Sequence, residues 1–503
     1  MLAHDIPRRK AVTLLSEFNR LSSNQTKLFP VLALAIIAIP SAALALFVAK
    51  FGVNVIINDE WDMVPLYKKM IDGNLNLTDL FAQHNEHRIF FPRLAMLAIE
   101  RLTAFNTVAE MYLSWILVSV STSIIFFMFW TASGRRKDLT VLAMFLPISL
   151  LMLSFRQEEA ILWGFTCQIY FALFGTIAAF YLLDKSVSNG RLLPLSILGG
   201  IVASYSFLVG LAVWPAGLIQ IALCMTDRTR RIKMLIAWIV SSLVVTGLYF
   251  HHFHVTSEAA ISRSPMRLIE YVFAVVGAPF TFELAYLAAS IGIVVVLVAF
   301  LVFYQAWSAR IIRANSVWVS CIVFAAISAL TFALGRSGIG PTQALSSRYT
   351  PITVLGIVGL YSLAVSVSKH YNGIGKKLGV HALLTLILLG LIVSGGAGWH
   401  IGQQTKAERL TAIQVLKNYQ TEPDTAIAQY LNPTPALVRE WSGYLAANKL
   451  SVFASANETD PYSISVSTVF ARVESVAVHT LHILTQLISA ETRPLPYPFP
   501  ILQ

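Results

Sequence analysis

The chain has 503 residues, of which 56% are hydrophobic and only 13% are charged, and its mean hydropathy is +0.67. A soluble domain carries about 25% charged residues, so this composition excludes a water-soluble globule and points to an all-α polytopic membrane protein. The net charge of +11 does not call for a nucleic-acid partner, because the basic residues gather at the ends of apolar runs, as topology signals do.

Residues 1–28 carry Arg8, Arg9, Lys10, Arg20 and Lys27, and the positive-inside rule places them in the cytoplasm. No small-residue cleavage site follows, so the first apolar run, 29–53, is read as a retained helix that Pro40 bends. A polar loop, 54–93, comes next on the outer side, and 94–106 reads as an amphipathic interfacial helix carrying Glu100 and Arg101. Further spans are expected at 108–132, 139–155 and 160–183. The run 192–225 is too long for one helix and is read as two short spans with a break on the outer side, near 204–215. Spans at 234–250, 284–307, 317–334, 352–367 and 380–397 complete the set.

This makes about eleven transmembrane helices of near-bilayer length, in one domain covering 29–397. Every inner connection carries Lys or Arg, as in Arg135-Arg136-Lys137 and the run from Thr226 to Lys233. The tail, 398–503, is polar and mixed, and is read as a small extramembrane α/β or mixed domain on the outer side. It shows helical stretches at 405–419 and 434–450, a β-like alternation at 462–476 and a final Pro-rich run. Cys167, Cys224 and Cys321 lie far apart inside apolar runs and read as small buried hydrophobes.

Polar residues concentrate on the outer side. The stretch Asn58-Asp59-Glu60-Trp61-Asp62 follows the first span by a few residues. Crowded carboxylates beside a low dielectric suit a general base or a metal site, and Trp61 is expected to anchor the motif at the membrane interface. The competing reading is a solvated loop. Next come His84, Glu86, His87 and Arg88, whose spacing is not the HExxH of zinc proteases. On a helix His84 and His87 share a face, which makes Asp59, Asp62, His84 and His87 a candidate set for a divalent ion such as Mg or Mn; loop hydrogen bonding and phosphate binding compete with that role. Glu158 and Gln168 stand in otherwise apolar surroundings. The glycine-rich loop around Arg336 leads to Arg348 and Tyr349. Arginine is disfavoured on the outer side, so these two have either a phosphate to hold or a loop carboxylate to pair with.

In this architecture the chain resembles the GT-C class of membrane glycosyltransferases, with Asp59-Glu60 standing where that class carries an acidic motif in its first outer loop. The resemblance covers the whole layout but rests on this one short motif; the residues around His84, Gln168 and Arg348 are not part of the class pattern. It implies an inverting transfer of a sugar from a polyprenyl-phosphate donor to a glycan or lipid acceptor of the cell envelope. Asp59 would deprotonate the acceptor, and Arg348, Arg336 or Arg88 would hold the leaving phosphate. Some members use a divalent ion and some do not. It also implies a bacterial inner membrane with the site in the periplasm. A transporter or flippase for lipid-linked glycans would place its charges near the middle of the spans, and a polymerase of lipid-linked glycans would carry its large loops late in the chain.

Overall fold

Backbone amides and carbonyls have no water to bond inside a bilayer, so apolar chain of this kind closes its hydrogen bonds within helices. The computed structural model describes residues 8–255, 262, 264–371 and 378–454, with side chains from residue 28 onward other than that of Ser394. Among these residues the only strands are β1 (Gln83–His84) and β2 (His87–Arg88), an antiparallel pair. Everything else regular is helical. Among the described residues nine helices are long and apolar enough to cross a membrane, from Leu28–Phe51 to Leu378–Lys417. Two shorter apolar helices, α9 (Leu193–Ser204) and α10 (Val213–Cys224), fall in the run read as two short spans. At 12 residues each they reach about 18 Å, well short of a bilayer core, and the break between them holds the short turn Leu208–Ala212.

The chain forms two compact units, and neither is continuous in sequence. The larger comprises Met1–Val53, Asn76–Arg93 and Glu110–Thr411. At its centre lies α15 (Thr350–Ser368), whose span is 89% buried. By contrast α11 (Arg228–Phe250) and α13 (Ala285–Ser308) are each only 22% buried and turn Leu243, Leu248, Leu297 and Phe300 outward. Apolar side chains facing out along whole helices are what a lipid surround selects.

Close helix approach is set by small residues. In α8 (Cys167–Ser186) a side chain on Gly175 would meet the Gly199 carbonyl of α9 at 2.7 Å. Polar groups tie these helices and α10 together: Ser196 Oγ of α9 donates to the Ala179 carbonyl of α8 at 2.7 Å, and Trp214 Nε1 of α10 donates to Ser204 Oγ of α9 at 2.9 Å. Small interfaces plus a few interhelical hydrogen bonds are the usual means of holding apolar helices together where lipid removes the hydrophobic drive.

The smaller unit comprises Asn54–Leu75, Leu94–Ala109 and the chain from Ala412 onward. It contains the turn Asn58–Asp62, α2 (Met63–Ile71), most of α4 (Phe90–Thr103), α17 (Asp424–Tyr430) and α18 (Pro435–Ala447). Backbone bonds join its pieces: Asn58 N donates to the Leu431 carbonyl at 2.6 Å, and Ser451 N to that of Ala104 at 2.9 Å. The amphipathic helix expected near 94–106 forms, burying Met96, Leu97 and Glu100 on one face while Arg101 is exposed. The helix expected at 405–419 is the end of α16 (Leu378–Lys417), which runs unbroken from the last apolar segment. The β-like alternation at 462–476 and the Pro-rich run lie outside the described residues.

Candidate functional site

The acidic motif belongs to the smaller unit. Asn58–Asp62 winds into a 3-10 turn, entered by Asn58 at a left-handed φ of 45°, which asparagine tolerates. The turn gives its three carboxylates different surroundings. Glu60 is 2% exposed and its Oε2 accepts from Ile57 N at 3.0 Å, so this side chain caps the turn. Asp59 is half-buried and Asp62 is exposed. Trp61, expected at a membrane interface, is fully buried instead; the turn needs an apolar plug, and the indole supplies it.

The larger unit gathers the other residues. The hairpin β1–β2 puts His84 directly opposite His87, with Asn85 in the left-handed region at φ 48°. The two histidines therefore face each other across strands rather than along a helix face. The hairpin is fixed from below by Arg88, whose Nε donates to the Tyr249 carbonyl at 2.6 Å, Nη1 to Phe81 at 2.7 Å and Nη2 to His251 at 2.5 Å. Three carbonyls take up most of the guanidinium's donors, so the geometry gives Arg88 the task of holding the loop, in place of the phosphate contact expected for it.

His84 lies against Phe165, ring centroids 4.9 Å apart, and His87 against Phe207 at 4.1 Å. Leu208 N, in the break between α9 and α10, donates to His87 Nδ1 at 3.3 Å. An Nδ1 that accepts leaves the ring proton on Nε2. Burial holds the His87 pKa well below the usual imidazole range, and the nearby His84, Arg336 and Arg348 charges push it the same way. His87 is thus a neutral ring with a fixed N–H donor in a cationic neighbourhood.

Arg336 and Arg348 both have carboxylate partners. Arg336 Nη2 meets Glu86 Oε2 at 3.0 Å, and Arg348 Nε meets Glu159 Oε1 at 3.6 Å. Each arginine side chain is still about a third exposed, at 30% and 34%. Glu159 is itself positioned by the Arg348 loop: its amide donates to Ser347 Oγ at 2.9 Å and its Oε2 accepts from Ser346 Oγ at 2.5 Å. Tyr349 is buried, stacked on Phe332 at 4.1 Å, and its hydroxyl accepts from Gln343 Nε2 at 2.9 Å. The Gln343 carbonyl oxygen is bonded by Tyr271. Tyr349 is therefore one end of a Tyr–Gln–Tyr strut.

Glu158 is buried and pairs with the equally buried Arg156 at 3.3 Å. Gln168 is buried in α8 with its Oε1 lacking a hydrogen-bond partner. Beside Arg156 and Glu158 opens a cavity of about 550 Å3, also lined by Glu159, Phe282, Glu283, Thr405, Glu408 and Arg409. Sequence reasoning missed Tyr271, Gln343 and the α16 residues, which carry no local signal. Glu159 was in plain view, in the charged run Arg156-Gln157-Glu158-Glu159.

The loops 83–88, 165–168, 205–208, 249–254 and 336–349 thus meet at one end of the larger unit. Apart from 165–168, which hydropathy places inside the span 160–183, these stretches fall in or border connections that charge alternation assigns to a single membrane face. At the other end the connections after α5 (Thr107–Ala132) and after α15 meet through Lys369 and Ser133, 3.3 Å apart. Among the described residues no three His, Cys, Asp or Glu side chains are grouped to hold a metal ion. The set Asp59, Asp62, His84 and His87 gains no support as a site for Mg or Mn. No protein-family model matches the chain, and no curated protein matches it, so its function is argued from these residues.

Proposed function

We propose that the protein is a multi-pass membrane glycosyltransferase of GT-C type, which moves a sugar from a polyprenyl-phosphate donor to a glycan or lipid acceptor of the cell envelope. One observation supports this most. Outer loops that are far apart in sequence bring two partly exposed arginines and a neutral histidine N–H together beside a polar cavity, at one end of a bundle with lipid-facing flanks. Arg336 and Arg348 hold the phosphate, with His87 Nε2–H as a neutral donor, and the polyprenyl chain lies along the apolar outer helices. The bilayer is a bacterial inner membrane, with the amino terminus in the cytoplasm and the arginine-bearing loops and the tail in the periplasm.

The base is Asp59, assigned by the resemblance and by its being the half-buried member of the motif. The acceptor hydroxyl gives its proton to the carboxylate, and its oxygen forms a bond to the anomeric carbon. The bond from that carbon to the phosphate oxygen breaks on the opposite face, inverting the centre. Arginines aimed at the departing phosphate stabilise the charge that develops there. The test is sugar transfer in nanodiscs from a panel of radiolabelled polyprenyl-phosphate sugars, comparing wild type with Asp59→Asn. Transfer by wild type that disappears in Asp59→Asn supports the reading. Tight lipid binding with no turnover by wild type overturns it in favour of a carrier of lipid-linked glycans.

A further inference from the structure

The cavity next to the arginine-bearing loop has a chemistry of its own. Arg156 is already committed, with Nε to the Thr281 carbonyl at 3.1 Å, Nη2 to that of Leu345 at 2.8 Å and Nη1 to Glu158 at 3.3 Å, its flat face 5.4 Å from the Phe282 ring centre. It neutralises Glu158 and has little left for a ligand. Glu158 Oε2 is buried, with the Ser347 hydroxyl beside it. The remaining lining adds Glu159, Glu283 and Glu408 against Arg409, together with Thr342, Thr405, Ser346 and Ser347. The lining holds more carboxylates than cations, so a free anion is repelled. Carboxylate oxygens and hydroxyls supply polar partners, and Leu162, Phe282 and Ile401 supply apolar walls. A volume of about 550 Å3 falls in the range of small-molecule pockets.

We infer that this cavity is the glycosyl subsite: it takes a neutral, hydroxyl-rich ring, whose hydroxyls donate to the carboxylates of Glu283 and Glu408. This rests on the transferase reading, and one geometric link joins the two. Glu159 lines the cavity and also holds Arg348 at 3.6 Å, so a ring in the cavity places its anomeric phosphate beside that arginine. Carboxylates are strong, directional acceptors for hydroxyls, and a site built to bond hydroxyls rejects a ligand that lacks them.

The experiment compares binding of bare polyprenyl phosphate with that of a panel of polyprenyl-phosphate hexoses and pentoses to the full-length protein in nanodiscs. Wild type is expected to prefer at least one sugar-bearing lipid to the bare lipid by tenfold or more. Thr405→Trp, which fills the cavity from α16 without touching Arg336 or Arg348, should bring that ratio to about one with the bare-lipid affinity unchanged. Glu283→Gln, on an exposed lining residue, should lower the ratio several-fold, which guards against a Thr405→Trp protein that misfolds. Wild type binding bare and sugar-bearing lipids alike overturns the subsite while leaving the transferase reading standing. A ratio that survives both substitutions does the same. Failure of wild type to bind any of these lipids overturns both.

Discussion

Glu60 and Asp59 are adjacent carboxylates with opposite expected behaviour, and substitution separates them. Glu60 Oε2 is the acceptor for the buried Ile57 amide at 3.0 Å, and the side chain is 2% exposed. Removing the acceptor in Glu60→Ala leaves that amide without this partner in a place water reaches poorly, at a cost of about 1–3 kcal/mol. Local opening of the turn should then rise roughly 5- to 150-fold. Glu60→Gln keeps a carbonyl oxygen at the same reach and loses only the charge assistance, about 1 kcal/mol. The assay is hydrogen–deuterium exchange of the Ile57 amide in nanodiscs, run beside sugar transfer. Faster Ile57 exchange in Glu60→Ala, with Glu60→Gln retaining most protection and most turnover, is the expected result. Unchanged exchange in Glu60→Ala would refute the capping role, and a Glu60→Gln protein that keeps its protection but loses turnover would move the base from Asp59 to Glu60.

Two further predictions concern the hairpin. Folding holds His87 neutral, with its pKa below the usual value of about 6.5. The unfolded chain therefore takes up a proton that the folded one refuses, and stability should fall as pH drops through about 6.5, levelling off only below the depressed folded value. Unfolding midpoints at pH about 7.5 and about 5.5 should differ more for wild type than for His87→Gln; equal differences would show that the ring is not held neutral. Arg88→Ala strips donors from the carbonyls of Phe81, Tyr249 and His251 and should cost about 3 kcal/mol or more. Arg88→Lys should recover little of it, because an ammonium cannot fork to three acceptors. A normal melting profile for Arg88→Ala with weakened lipid binding would return this residue to the phosphate.

The membrane-crossing pattern was legible because lipid imposes it residue by residue: apolar runs of bilayer length, basic ends, and a broken run at 192–225 that became two short helices. The pairing of Arg336 with Glu86 and of Arg348 with Glu159 had been one of two readings of arginine on the disfavoured side. Composition could raise that question but could not choose the carboxylate. The hairpin was not legible. His84 and His87 are spaced equally well for a helical turn or for a two-residue bend, and it is Arg88 reaching residues 161 and 163 positions away that decides. Trp61 misled for a similar reason, since an indole suits an interface and a packed turn alike and only its neighbours tell them apart. The grouping of Asn54–Leu75, Leu94–Ala109 and the chain beyond Ala412 into one unit depends on backbone bonds across hundreds of residues, which no local window contains.

The near-total burial of α15 bears on how the larger unit is built during synthesis. A segment that is 89% enclosed by protein gains no partner from the lipid once it is in place, and it emerges from the ribosome after most of the helices that surround it. Those earlier helices must wait in the bilayer with their inner faces open, Cys321 and Ala325 of α14 (Ser316–Arg336) among them, since Gly359 fits against Cys321 and Gly356 against Ala325 and no larger residue does. Completion of the bundle is therefore a late docking step, in which one apolar helix leaves lipid for a slot already shaped to its glycines. Until then the unit has walls but no centre.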